Sequence, residues 1–192
     1  MNTKNTTISF IITLISVIAL IASFFLPYAS VSDERREILE NHPDEIVDET
    51  TGMTSLEIAD MSIIEYGKVY FQIMTQGKKM DESVTRDDIL TATIDVVIIA
   101  LIVLFTVLLF IFVLIKKPIA LMIFSIFDFG LLYLYAYDHK DRGAIGEGRF
   151  YDFGYAYYMF YGALIVLFIS AIWMLVLKIK NKKAAKISTS EA

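Results

Sequence analysis

Four apolar runs, each about 20 residues long, constrain this chain more than any other feature. They occupy residues 8–28, 96–115, 118–137 and 155–177. As a helix, a run of that length crosses a hydrocarbon core about 30 Å thick. Lipid offers no hydrogen-bond partners, so the backbone must pair within each segment, which favours helices over strands. The sequence therefore predicts an all-α integral membrane protein, a four-helix bundle.

The flanking residues divide the chain further. We place the spans at residues 8–28, 91–115, 118–137 and 154–177. An extracytoplasmic loop (29–90), a second one (138–153) and a basic cytoplasmic tail (178–192) complete the division. The first run also resembles a secretory signal, because Lys4 precedes it and Ser30 and Ser32 follow it. It is longer than the roughly 7–15 residues of a signal core, which favours a membrane anchor.

Lysine placement predicts the orientation. Eight basic residues lie in the N-terminal segment, the 116–117 link and the tail, whereas the 29–90 loop holds fifteen acidic and six basic residues. Cytoplasmic segments carry the excess of Lys and Arg. We therefore expect a multi-pass plasma membrane protein with both termini cytoplasmic and both longer loops outside.

The long loop carries a helix signal. Thr54 and Glu57 have the spacing of a capping box, and apolar residues then recur at helical intervals. This predicts an amphipathic helix at about 55–75, whose apolar face carries Ile63, Tyr66, Tyr70 and Ile73. Such a face must be buried, and three positions fit: against its own bundle, in a partner's groove, or on the lipid surface.

Tyrosine distribution adds a second candidate surface. All eleven tyrosines fall on the predicted outer side, where an aromatic belt is expected because the ring is apolar and the hydroxyl polar. Together with the second loop they could instead wall an outward-facing pocket. Tyr151 and Tyr155 join the four residues of the amphipathic helix as partner-binding candidates.

Asp128 is a carboxylate within the third apolar run. Counted from Pro118 it lies roughly 15 Å into the membrane, where an ionised carboxylate costs at least about 2.5–3.5 kcal/mol. Ser16, Thr106 and Ser170 lie a similar number of residues from the inner boundaries of the other three spans. This predicts an intramembrane polar layer of these three residues and Asp128. Asp128 either donates to one of these hydroxyls and fixes helix register, or relays a proton or cation.

Other polar residues give weaker signals. Asp95 is expected at the outer interface in a cap-like position, and His42 and His139 are expected in solvated loops. The chain has no cysteine, and no motif for a hydrolase, a metalloprotease or a phosphate-binding loop occurs. We therefore expect no catalytic residue, no metal and no cofactor.

Two function classes remain. The first is a small non-enzymatic membrane protein, of accessory, sensor or immunity type, that binds a partner at the outer face or in the bilayer. The second is a small oligomeric transporter or channel that uses Asp128. The expected partners are membrane lipid and either another protein or further copies of this chain, and not nucleic acid.

Overall fold

A computed structural model describes residues 3–48, 52–80, 84–146 and 149–190. In chain order its elements are α1 (Thr3–Ser23), β1 (Pro27–Val31), α2 (Asp33–Glu40), β2 (Ile46–Asp48), β3 (Met53–Thr54), α3 (Ser55–Ala59), β4 (Asp60–Ser62), α4 (Ile63–Met80), α5 (Arg86–Leu114), α6 (Pro118–Asp141), β5 (Tyr151–Phe153) and α7 (Tyr155–Ser190). Four helices are long and apolar enough to span a membrane: Asn5–Ser23, Arg86–Leu114, Pro118–Asp141 and Tyr155–Ala184. The prediction of an all-α fold with four membrane-spanning helices is confirmed.

The long helices bury one seam each. On α5 the buried positions are Ala92, Asp95, Ile99, Ile102, Thr106, Leu109 and Val113. On α6 they are Pro118, Leu121, Ser125, Asp128, Leu132, Tyr135, Ala136 and His139. Alternating steps of three and four residues are the spacing of a coiled-coil seam, the packing used in four-helix bundles.

The bundle closes into a ring. Helix α1 packs against α5 and α7, and α6 packs against the same two helices. Large apolar side chains, including Ile15, Leu104, Ile126 and Ile169, are exposed on the outer faces. In a membrane these faces meet lipid, so the narrow buried seams and the apolar exterior fit the same environment.

At one end of the bundle the chain folds into a cap, which we define as the described residues of 27–80 and of 142–153. A three-stranded antiparallel sheet with the order β4-β1-β5 joins its parts. Ala29 of β1 pairs with both Met61 and Phe153. The sequence pattern predicts no strand here, because segments of three to five residues show too few alternations of apolar and polar residues to be recognised.

The amphipathic helix differs from the expectation of one helix at 55–75. The capping box of Thr54 and Glu57 is present, but it starts only the short α3. At Asp60 the backbone is extended, with φ −137° and ψ 95°, because β4 pairs with β1. A second reciprocal pair then begins α4: the Ser62 amide donates to Glu65 over 2.7 Å, and the Glu65 amide donates to the Ser62 hydroxyl over 3.2 Å.

A tight turn joins α5 to α6 at the end opposite the cap. The Lys117 amide donates to the Phe112 carbonyl over 3.0 Å, and the Lys116 amide donates to the Val113 carbonyl over 3.1 Å. This is a Schellman motif, in which the residue after the helix is usually glycine because it adopts a left-handed conformation. Here that residue is Lys116, with φ 53°.

Candidate functional site

Asp128 is fully buried and touches the neighbouring span. The Thr106 hydroxyl donates to Asp128 Oδ2 over 3.0 Å, which joins the seams of α5 and α6. Oδ1 of Asp128 is buried and has no hydrogen-bond partner among the residues that the structure describes. Of the four residues predicted to form a polar layer, the structure brings these two together.

Ser16 and Ser170 lie elsewhere. Ser170 accepts a 2.9 Å hydrogen bond from Thr13, a residue that the sequence analysis did not single out. Ser16 donates to the Ile12 carbonyl of its own helix over 2.9 Å. These contacts form a second polar level, between α1 and α7, which does not include Asp128.

The two levels are separated along the bundle. The ring of Phe129 contacts that of Tyr161, with centroids 5.1 Å apart, so Asp128 lies beside the early part of α7. Ser170 is then about 12 Å further along the axis, at 1.5 Å per residue. Counting residues inward from the predicted inner boundary of each span therefore misjudged the depth of Ser170 relative to Asp128.

A polar network lies where the cap meets the bundle. Arg142 donates to Oδ2 of buried Asp95 over 2.7 Å and also pairs with Asp138. Fully buried His139 contacts Tyr70 of α4, with 2.9 Å between Nε2 and the hydroxyl, while its Nδ1 lies 3.0 Å from the Tyr135 carbonyl. A carbonyl only accepts, so Nδ1 carries the proton, and in the neutral ring Nε2 accepts from Tyr70.

This network corrects two expectations. His139 was expected in a solvated loop and Asp95 in an interfacial cap-like position, yet both are buried. Helix α6 continues to Asp141, past the predicted end of the span at 137, and this extra turn carries His139 under the cap. The sequence signal was available: His139 continues the three-and-four spacing that runs through Asp128 and Tyr135.

Three residues of the network have metal-compatible spacing. Ligand atoms of Asp95, Asp138 and His139 all lie within 4.8 Å of one another. However, Arg142 already bridges the two carboxylates and supplies the positive charge that the buried Asp95 requires. Both ring nitrogens of His139 are likewise engaged in hydrogen bonds. The arrangement is a closed ion-pair network that ties α5 to the end of α6.

The predicted face of the amphipathic helix is turned inward. Ile63 is fully buried and Tyr66 is 7% exposed. Tyr70 is half-buried against His139, and Ile73 is half-buried as well. Helix α4 packs on α5. Of the three positions considered for the apolar face of this helix, the structure therefore has the first, in which the face is buried against the protein's own bundle.

Tyr28 organises the aromatic interior of the cap. Its ring contacts those of Tyr66, Tyr135, Phe153 and Tyr157. Its hydroxyl is buried and makes no hydrogen bond within the described part of the chain. Burial raises the pKa values of Tyr28 and Tyr66 well above the ordinary value of 10.0, and neighbouring tyrosines add to the effect. Both phenols therefore stay neutral, and part of the predicted belt is an internal cluster.

The remaining predicted candidates lie where the cap meets the start of α7. Tyr155 is 82% exposed at the start of α7, and Tyr151 is half-buried on β5. Burial raises the pKa of Tyr151 to about 12. Tyr158, one turn after Tyr155, is 65% exposed, and sequence reasoning did not single it out.

A groove of about 560 Å³ runs between α2 and the start of α7; we call it the cap groove. Its lining includes Ser30, Arg36, Asp60, Phe153, Tyr155 and Tyr158. Arg36 and Asp60 form a bidentate ion pair in this groove, with N–O distances of 2.6 and 2.7 Å. The Arg36 hydrogen bond lowers the pKa of Asp60, despite partial burial, and Ser30 contributes in the same direction.

Comparison with protein families, with curated proteins and with solved structures finds no match for this chain. The class therefore follows from the fold and the site alone. Four apolar helices, each with one buried seam and an apolar exterior, fit a membrane-embedded four-helix bundle. In this protein the cap is fixed to the bundle through an Asp–Arg–His–Tyr network, in which Asp95 and His139 are buried.

Proposed function

We propose that this is a small non-enzymatic membrane protein, of accessory, sensor or immunity type, whose cap binds a protein partner. The open cap groove supports the proposal most directly, because it presents two exposed tyrosines beside a charged pair. Tyrosine and arginine are the residues enriched at binding hot spots.

The groove is built on a fixed frame, which favours binding. Arg35 donates to the Arg149 carbonyl over 2.9 Å and lies 4.9 Å from the centroid of the Phe150 ring. Arg36 holds the other side of α2 through Asp60. Because α2 itself has no buried residue, these two arginines position it. A preordered groove loses less conformational entropy on binding than a mobile loop does.

Burial in the structure reduces the set of residues that are available to bind a partner. Ile63 and Tyr66 support the cap from inside and are unavailable to another molecule without unfolding it. Tyr155 and Tyr158, with the Arg36–Asp60 pair opposite, form the surface that we propose for contact. The proposed orientation places this surface outside the cell, because the lysine-rich turn and tail lie at the other end of the bundle.

A site-specific photocrosslinker tests the proposal. We would place it at Tyr155, at Tyr158 and, as a matched control, at Tyr137, a tyrosine of α6 that is 59% exposed. Binding in the groove predicts a protein adduct of defined mass from the first two positions in native membranes, absent from the third. An adduct of twice the chain mass identifies a second copy as the partner. If all three positions give only lipid adducts, the tyrosines form a belt and the proposal fails.

A transporter or channel is the second candidate, and one observation favours it. Asp128 lies fully buried within a span with only one of its oxygens hydrogen-bonded, and intramembrane acids commonly mark ion pathways. Proton or cation flux into liposomes that is abolished by Asp128→Asn would support this candidate. Absence of flux from correctly folded protein would leave Asp128 as a packing residue.

A further inference from the structure

A second groove lies at the lysine end of the bundle, remote from the cap. This lysine groove has a volume of about 650 Å³ and runs between the α5–α6 turn and α7. Its apolar wall includes Phe112, Ile115, Ile119, Ile123, Leu175 and Ile179. Because Ile115, Ile119 and Ile179 are exposed on the outer face of the bundle, the groove opens toward lipid rather than into the protein.

Three cations stand at this groove. Lys117 comes from the turn, and Lys178 and Lys182 come from α7. Among the residues that the structure describes, no acidic side chain lines the groove, and every ion pair uses an arginine instead. Lys178 and Lys182 are four residues apart on one helical face, where like charges repel. A bound anion would relieve this repulsion.

The geometry of the turn adds to the positive potential. Helix α6 begins with Pro118 at its first turn, and Lys117 in the N-cap position makes no side-chain capping bond. The positive end of the helix therefore faces the same region. Lys116, by contrast, turns away from the groove and lies 5.0 Å from the centroid of the Phe10 ring on α1.

These features together select one kind of occupant. A small soluble anion would satisfy the lysines but leave the apolar wall without contacts. A neutral lipid would cover the wall but leave the lysines unpaired. We infer that the lysine groove binds an anionic phospholipid, with its phosphate against Lys117, Lys178 and Lys182 and an acyl chain along the isoleucine-rich wall. Basic pockets between spans are a recurrent feature of anionic-lipid recognition.

Retention of lipid by the full-length protein in detergent tests this inference. Native mass spectrometry would compare phosphatidylglycerol with phosphatidylcholine of identical acyl chains. We expect preferential retention of phosphatidylglycerol, reduced about tenfold or more in the triple variant Lys117→Gln, Lys178→Gln, Lys182→Gln, given the contribution of each lysine to anionic-lipid binding. The matched control, Lys116→Gln, Lys180→Gln, Lys183→Gln, removes the same charge outside the groove and should keep the preference.

A second variant separates the groove from its charge. Ile123→Trp places a larger side chain on the apolar wall and so fills part of the groove without altering any lysine. This variant should weaken retention of phosphatidylglycerol. Free glycerol phosphate at the same concentration should not compete. Equal losses in both lysine triples, no preference for phosphatidylglycerol in the parent, an unaffected Ile123→Trp variant, or full competition by glycerol phosphate would each overturn the inference. None of these results depends on what binds the cap groove.

Discussion

The hydroxyl of Thr106 donates to Asp128 Oδ2 across the α5–α6 interface, and this 3.0 Å bond is the only hydrogen bond of that carboxyl group in the part of the chain that the structure describes. Interhelical hydrogen bonds in membranes contribute about 0.6 kcal/mol on average and up to about 1.7. We expect Thr106→Val to lower the free energy of unfolding by an amount at the upper end of this range, since it leaves Asp128 buried and unpaired.

Thr93→Val is the matched control for that measurement. Thr93 lies on the same helix, but its hydroxyl donates to the Ile89 carbonyl of its own backbone over 2.7 Å. Its loss should change the stability little. Unfolding in mixed micelles measures both, and equal effects of the two substitutions would contradict a special contribution from the Thr106–Asp128 bond.

Gly154 marks the closest approach between β1 and the start of α7. A Cβ atom built there would lie 2.3 Å from the Pro27 carbonyl oxygen, a distance that backbone cannot accommodate without moving. We expect Gly154→Ala to destabilise the protein by about 1–3 kcal/mol, as overpacking does, and to increase proteolysis of the cap. Gly162→Ala should cause no such loss, because a Cβ there meets no atom within 4 Å.

The Tyr70–His139 contact fixes α4 to the bundle. We expect Tyr70→Phe to cost about 1 kcal/mol, because His139 then keeps a buried ring nitrogen without a partner. Tyr66→Phe is the control: its hydroxyl is buried and makes no hydrogen bond, so removing it should be neutral or stabilising. Amide hydrogen exchange in α4 would report both, and equal protection in the two variants would argue against this bond as the anchor.

The Arg36–Asp60 pair should make the cap sensitive to acid. Its hydrogen bond lowers the pKa of Asp60 below the ordinary value of 3.8, so the pair contributes stability above that pH and loses it as the pH falls through the folded-state pKa. Both side chains are about one-third exposed, so we expect at most about 1 kcal/mol. Asp60→Asn should differ most from the parent at neutral pH, and the difference should shrink as the pH falls below 3.8, measured by thermal unfolding. A constant difference across that range would contradict the assignment.

The orientation in the membrane can be tested by labelling single introduced cysteines, without background labelling, since the chain has no cysteine. Asp152 on β5 and Lys117 in the turn are both exposed, at opposite ends of the bundle. With the cap outside the cell, a membrane-impermeant maleimide should label Asp152→Cys in intact cells and Lys117→Cys only after lysis. The reverse pattern would invert the proposed topology.

The sequence by itself determined the four long apolar helices and the start of α3. Apolar length and backbone hydrogen bonding leave lipid-spanning segments little choice but the helix, and the Thr54–Glu57 capping box depends only on residues three apart. Such signals are local, so they can be found along the chain. The three-and-four spacing of the buried residues on α6 also includes His139, so its burial was predictable from the sequence.

The tertiary structure decided what pairs with what. Tyr70 and His139 are 69 positions apart, and Asp95 and Arg142 are 47 apart; no local pattern specifies either contact. The tetrapeptides FDFG (127–130) and YDFG (151–154) make the same point. Gly130 has open space around it inside a helix, whereas Gly154 lies against Pro27. Similar sequences therefore acquire different structural roles in the fold. Burial and contact depend on where the packed helices place each residue, and the whole bundle sets that placement.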